Sequence, residues 1–100
     1  MIVASAEKRL EAARKGAALL YDNGAQKVWV FGSIADGRPQ DERSDIDLAV
    51  EGLPSHLFFR MVGQLLNVLP CSVDLVEMET VSPSLRQNIE RNRILLSREN

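Results

Sequence analysis

Several residue types that mark particular classes of protein are scarce in this chain of 100 residues. Cys71 is the only cysteine, so no disulfide can form within the chain, and the composition does not favour a small secreted fold. No apolar run approaches the roughly 18 residues that a membrane span requires, and the N-terminal stretch lacks the apolar core of a signal peptide. We therefore expect a protein of the cytoplasm without a membrane partner.

An excess of basic charge is also missing. The 12 Lys and Arg residues against 14 Asp and Glu residues give a net charge of −2. Because a protein that grips nucleic acid normally carries a clustered basic surface, we do not expect direct nucleic-acid binding. A single nucleotide remains a candidate ligand, since it needs only a few local cations or a metal ion. With 45% hydrophobic residues, the chain predicts one globular domain over 1–100.

The hydrophobic pattern in the first half of the chain predicts a helix followed by two strands. Ala and Leu residues at spacings of three and four predict a helix over 5–23, and its many alanines predict close packing against its support. The run Lys27–Phe31 and the alternating run 45–51 predict strands. Because the loop 32–44 is short and contains no crossover helix, these two strands should run antiparallel.

The next stretch predicts a helix and a third strand. Ser55 is a candidate N-cap, and a wide apolar face follows it until Pro70 ends the helix. The run 71–77 alternates again and predicts a strand. A strand, a helix and a strand in this order form a crossover unit, so the third strand should lie parallel to the second.

The end of the chain predicts a last helix, with Ser82 as its cap and Pro83 at its first position. The run 93–97 is either the end of this helix or a short fourth strand, and we favour the strand. The predicted fold class is therefore α+β, a small mixed β-sheet flanked by helices in the order α-β-β-α-β-α(-β).

Two aspartates interrupt the apolar pattern of the second strand. Asp45 and Asp47 share one face of the strand, about 6 to 7 Å apart, because successive residues alternate between faces. Like charges at this distance repel, whereas a divalent cation between them reverses the sign of the interaction. Mg²⁺ prefers such carboxylates together with phosphate oxygens. If the second and third strands are neighbours, Asp74 can face the same site, and three carboxylates fit a two-metal phosphoryl or nucleotidyl transfer site.

Gly32 and Ser33 directly follow the first strand, beside the aspartate strand in the predicted hairpin. Gly32 has no Cβ to obstruct a phosphate, and the Ser33 hydroxyl and the amides after it can donate hydrogen bonds to phosphate oxygens. We therefore predict that the metal ligands and a phosphate-binding turn are neighbours.

The motifs "GSIADG", "SDIDLAV" and "VDLV" resemble the nucleotidyltransferase domain of the polymerase-beta superfamily. The resemblance extends over nearly the whole chain, including the first helix and the final "PSLR" helix, and points in particular to the minimal nucleotidyltransferases, or MNT proteins. It implies a polymerase-beta-type α+β fold. It also implies Mg²⁺-dependent transfer of a nucleoside monophosphate from an NTP, usually ATP.

The resemblance also implies roles for individual residues. Asp45, Asp47 and Asp74 would be the catalytic carboxylates that bind the metal, and Asp74 would activate the acceptor hydroxyl. Gly32 and Ser33 would hold the triphosphate.

One departure from the family motif falls in the phosphate-binding loop. This chain has Asp36 where the family commonly has an arginine, and Arg38 or Arg43 must compensate for that acid. We therefore count Arg38 among the candidate nucleotide-binding residues.

Minimal members resemble the antitoxin of a pair whose toxin is a HEPN-domain ribonuclease. The resemblance implies transfer of AMP to a tyrosine hydroxyl of that toxin, in a homo- or hetero-oligomeric assembly, because so short a chain must receive its acceptor from another molecule or subunit. The alternative, favoured by Asp36, is an antitoxin with little or no catalysis that neutralises the toxin by binding alone. A small-molecule acceptor is less favoured, because the chain has little room for a second pocket.

Overall fold

The structure, a computed structural model, describes residues 6–32, 34–35 and 45–98. In this part of the chain, three α-helices and four strands follow one another, with a 3₁₀ turn at Ser55–Leu57. The elements are α1 Ala6–Asp22, β1 Lys27–Phe31, β2 Ile46–Glu51, α2 Phe58–Val68, β3 Val73–Glu77, α3 Pro83–Asn92 and β4 Ile94–Leu96. Among the described helices, none combines the length and the apolar character needed to cross a membrane.

The four strands form one mixed sheet in the order β3-β2-β1-β4. Strand β1 is antiparallel to both β2 and β4, and β2 is parallel to β3. The predicted hairpin, the parallel third strand and the fourth strand are therefore confirmed, as is the mixed α+β class. Because α2 connects β2 to β3, the crossover that parallel pairing requires is present.

One face of the sheet packs against α1 and α2. Ala13 and Ala17 of α1 are fully buried in the same core cluster as the β2 and α2 side chains Leu48 and Leu65. A methyl group added at Gly16 would lie 3.1 Å from Leu65 and 3.2 Å from Leu48, so this helix approaches the layer beneath it as closely as its small residues allow. The close packing expected from the alanine-rich pattern is confirmed.

The opposite face of the sheet packs against α3. Trp29 and Ala49 are buried there in a second cluster with Ile89 of α3. Helix α3 begins as predicted, since the Ser82 hydroxyl accepts a hydrogen bond of 3.2 Å from the Leu85 amide. The helices are thus divided between the two faces, two on one side and one on the other.

The predicted N-cap at Ser55 is wrong. Ser55 lies inside the 3₁₀ turn, whose N-cap position is Pro54, and Leu57 occupies the N-cap position of α2. Neither position makes a side-chain capping bond. The Leu57 amide instead donates to the Pro54 carbonyl oxygen at 2.9 Å, so a backbone turn satisfies a donor that a serine hydroxyl was expected to satisfy.

The hydroxyl of Tyr21 joins the end of α1 to two strands. It donates to the Leu96 carbonyl oxygen at 2.6 Å and accepts from the Val28 amide at 3.1 Å. Val28 and Leu96 are opposite each other in the β1–β4 pair. The buried hydroxyl is therefore part of the contact that holds β4 on the edge of the sheet.

Candidate active site

Asp47 and Asp74 lie side by side on neighbouring strands. The register of the parallel β2–β3 pair places them directly opposite each other. Residues two positions further along the same strands, Ala49 and Val76, belong to the cluster under α3, so both carboxylates are on the α3 face of the sheet. Neighbouring strands are about 4.8 Å apart, which puts two acids on adjacent strands within the span of one cation.

Asp45 takes a different place from the other two aspartates. It lies just before the first residue of β2 and is exposed, whereas Asp47 is half-buried and Asp74 is exposed within β3. Within the ranges that the structure describes, no three His, Cys, Asp or Glu side chains are grouped closely enough to hold a metal ion. The fold therefore brings together the pair Asp47 and Asp74, with Asp45 adjacent to them along the chain.

Gly32 directly borders the carboxylate of Asp47. Its φ angle is +76°, in the left-handed region, and a methyl group added there would overlap Asp47 Oδ2 and lie 3.1 Å from Asp47 Cγ. The role predicted for this glycine from the sequence was to leave room for a phosphate. The structure adds a second reason, because the missing side chain leaves the space that the Asp47 carboxylate occupies.

The remaining predicted residues of the phosphate-binding loop lie outside the described residues. These are Ser33 and Arg38, and with them the acid Asp36 and its candidate partner Arg43. Their roles stay predictions.

A cavity of about 250 Å³ opens between the end of β1 and helix α3, next to Gly32. Its walls are Phe31, Gly32, Leu85, Asn88, Ile89, Arg91 and Asn92. The α3 residues of this cavity were not predicted from the sequence, since polar residues on a short helix usually form a solvated face. A signal was present, because the apolar pair Leu85 and Ile89 alternates with two asparagines at spacings of three and four.

The residues of this region fit a divalent cation and a nucleotide. Two carboxylates on adjacent strands supply the hard oxygen ligands that Mg²⁺ prefers, and Mg²⁺ commonly binds through one or two carboxylates plus substrate phosphates. Gly32, with its left-handed backbone and no side chain of its own, lies directly beside the Asp47 carboxylate, so a phosphate held at this turn would be close to a candidate metal ligand.

Comparison with protein families settles the class of protein. The model of the family described as polymerase beta nucleotidyltransferase matches residues 17–100, which include all four strands. The chain belongs to the polymerase beta nucleotidyltransferase family. It is therefore a nucleotidyltransferase, as its motifs predicted.

Solved structures similar to this nucleotidyltransferase include a candidate minimal nucleotidyltransferase, with 33% identity and a TM-score of 0.72 over 90% of this chain and 94% of that chain. A crystal structure of a toxin–antitoxin with AMP-PNP has 30% identity and a TM-score of 0.72, over 84% of this chain and 72% of that chain. The likeness to minimal nucleotidyltransferases that the sequence predicted is confirmed.

A third similar structure is a tri-AMPylated HEPN toxin from Shewanella oneidensis in complex with MNT antitoxin. The similar chain is 26% identical to this nucleotidyltransferase, with a TM-score of 0.68 over 89% of this chain and 71% of that chain. A comparison with curated protein sequences gave no match.

Proposed function

We propose that this nucleotidyltransferase is the antitoxin of a toxin–antitoxin pair, and that it transfers AMP from ATP to a tyrosine hydroxyl of a HEPN toxin in the cytoplasm. The observation that carries the proposal is the register of Asp47 opposite Asp74 on one face of the sheet, with Gly32 against the Asp47 carboxylate. Carboxylates beside a phosphate-binding turn are what nucleotidyl transfer requires.

Asp47 and Asp74, with Asp45 next to them along the chain, are the proposed ligands of Mg²⁺. Mg²⁺, when bound, neutralises the charge that develops on the phosphate oxygens in the transition state. Gly32 and Ser33, with Arg38, are the proposed contacts of the triphosphate. Gly32 supports this role because its backbone is adjacent to Asp47, so a triphosphate held there would lie close to the Asp47 carboxylate.

Asp74 is the proposed general base. The acceptor oxygen attacks the α-phosphorus, a new P–O bond forms, the bond from that phosphorus to the oxygen bridging to the β-phosphate breaks, and pyrophosphate leaves. The hydroxyl proton goes to the Asp74 carboxylate. Asp74 is suited to this role because it is exposed and lies on the β3 side of Asp47, where an acceptor from another protein can approach.

The partner is proposed from two kinds of support. Similar structures include a toxin–antitoxin with AMP-PNP and an AMPylated HEPN toxin with MNT antitoxin. In addition, α3 is a helix of 10 residues and is the one described helix on the carboxylate face of the sheet. An open face of this kind suits an acceptor that belongs to a second protein.

The test is transfer to a co-purified HEPN toxin in the presence of ATP and Mg²⁺. Intact-mass spectrometry should show the toxin heavier by one or more adenylyl groups, and peptide mapping should place them on tyrosine. Asp47→Asn and Asp74→Asn should each lower the transfer rate about 100-fold or more, because one removes a metal ligand and the other the base. Asp22→Asn is the matched control, since Asp22 is exposed at the end of α1.

The same variants separate catalysis from binding alone. If a folded Asp47→Asn variant protects cells from the toxin as well as the wild type does, neutralisation by contact is the function and the transfer proposal is wrong. An unchanged toxin mass with wild-type antitoxin, ATP and Mg²⁺ also rejects it.

A further inference from the structure

The cavity beside Gly32 is lined by residues other than Asp47 and Asp74, and the roles proposed for those carboxylates give it no function. In the sheet order, Asp74 lies on one side of Asp47, and Phe31, which is opposite Asp47 on β1, lies on the other. The cavity opens at Phe31, between β1 and α3. The reaction centre is therefore flanked by an exposed acid on the β3 side and by a partly enclosed cavity on the β1 side.

We propose that this cavity binds the base of the nucleoside triphosphate and that Asn88 is the residue that recognises it. The inference rests on the proposed function, because it assumes that the triphosphate is bound at Gly32. Gly32 itself lines the cavity, so a triphosphate held at that turn would place the rest of its nucleotide beside the cavity.

The lining suits a flat, partly apolar ring. Phe31, Leu85 and Ile89 supply apolar walls, and Ile89 is almost completely buried, so this wall is fixed by the core. An aromatic side chain beside a base offers a surface for stacking that tolerates different bases. These walls therefore provide affinity for a base.

Asn88 supplies hydrogen-bonding groups that the apolar walls lack. It is an exposed residue of α3 that lines the cavity, and its amide carries two N–H donors and an acceptor oxygen. A side-chain amide is the group that pairs with adenine through one donor and one acceptor. A preference for ATP over GTP should therefore depend on Asn88.

Two other occupants fit the cavity less well. A polyphosphate would need several cations, whereas the described residues that line the cavity include one cation, Arg91, and three apolar side chains. The acceptor side chain should approach Asp74, the proposed general base. Asp74 lies on the β3 side of Asp47, whereas the cavity lies on the β1 side.

The test measures the affinity of the complete chain for Mg²⁺–ATP, Mg²⁺–GTP and Mg²⁺–tripolyphosphate by calorimetry, without toxin. ATP should bind at least about tenfold more tightly than tripolyphosphate, and Asn88→Ala should remove about tenfold of the ATP affinity while leaving tripolyphosphate unchanged. Asn67→Ala, at an exposed position of α2, is the matched control and should change neither affinity.

The outcomes distinguish this inference from the proposed function. If wild type binds neither ATP nor tripolyphosphate, both fail. The base-binding cavity is rejected if ATP binds no more tightly than tripolyphosphate. It is also rejected if Asn88→Ala leaves both the ATP affinity and the preference for ATP over GTP unchanged. In either case the proposal of nucleotide transfer stands. An Asn88→Ala variant that binds ATP normally but transfers AMP slowly to the toxin would assign the cavity to the acceptor instead.

Discussion

Gly32 lies so close to the Asp47 carboxylate that a side chain at position 32 would displace it. A methyl group at position 32 would overlap Asp47 Oδ2, and the φ angle of +76° is unfavourable for any residue with a Cβ. This glycine therefore controls where a candidate metal ligand can lie, in addition to leaving room for a phosphate.

Gly32→Ala should destabilise the protein by about 1 to 3 kcal/mol, because the backbone strain and the overlap act together. It should also reduce AMP transfer, since the Asp47 carboxylate must move. Urea unfolding measures the first effect and toxin mass the second.

The control for this substitution is Gly63→Ala. Gly63 is in α2, and a methyl group there would meet nothing within 4 Å. Alanine should therefore stabilise α2 by up to about 1 kcal/mol. Equal stability of the two alanine variants would contradict the steric role of Gly32.

At the scale of single residues, the sequence predicted some site positions better than others. Asp45 and Asp47 were visible from the alternation of a single strand, which is a local pattern. Asp74 required the correct pairing of β2 with β3, which the structure confirms. Asn88, the residue proposed to recognise the base, was not predicted, because an exposed asparagine on a helix has no local signature until the neighbouring strand end is known.

At the scale of elements, the Tyr21 side chain of α1 contributes to the attachment of β4. Strand β4 has three residues and pairs with β1 alone, so its own ladder is short. The Tyr21 hydroxyl bonds to the Leu96 carbonyl and the Val28 amide across this pair. The helix thus supplies bonds that join the two strands.

Tyr21→Phe should lower the free energy of unfolding by about 1 to 3 kcal/mol, because it removes two hydrogen bonds and leaves buried backbone groups unsatisfied. Hydrogen exchange of the Val28 amide should accelerate more than exchange of the amides in β2. Asp22→Asn, which weakens only an exposed ion pair to Arg98, is the control and should change stability by less than about 1 kcal/mol. Loss of stability equal to that of the control would show that the hydroxyl is dispensable.

Most elements could be predicted from periodicity, but several of their ends could not. Strand β1 has the predicted bounds, whereas β3 begins two residues later than predicted and Asp45 falls just before β2. The prediction of a Ser55 cap failed because Pro54 starts a backbone turn. A pattern of polar and apolar residues does not indicate which oxygen accepts the hydrogen bond of a given amide.

The mixed sheet of the whole molecule was predictable because connection length restricts strand direction. The division of the helices between its faces was not predicted, since each helix has an apolar stripe that fits either face. That division determines the site: α1 and α2 cover the face opposite the carboxylates, and α3 leaves room beside Gly32 on the other.

Mg²⁺–ATP should stabilise the folded chain, because its proposed ligands are brought together only in the folded sheet. At 100 times the dissociation constant, the gain is about 2.7 kcal/mol, or roughly 10 °C or more in Tm for a domain of this size. Thermal melting with and without Mg²⁺–ATP measures this shift. EDTA should remove most of it, and Asp47→Asn should show a smaller shift than the wild type. A shift that is the same with EDTA would contradict a metal-dependent site.

The crossover through α2 has a consequence for the order of folding. The β1–β2 hairpin joins neighbouring strands, whereas pairing of β2 with β3 closes a longer loop, and non-local parallel pairing is slow. We therefore expect the hairpin that carries Asp47 to pair before β3 brings Asp74 beside it. On the proposed function, a newly made chain would therefore acquire both carboxylates of its active site only when its sheet is complete.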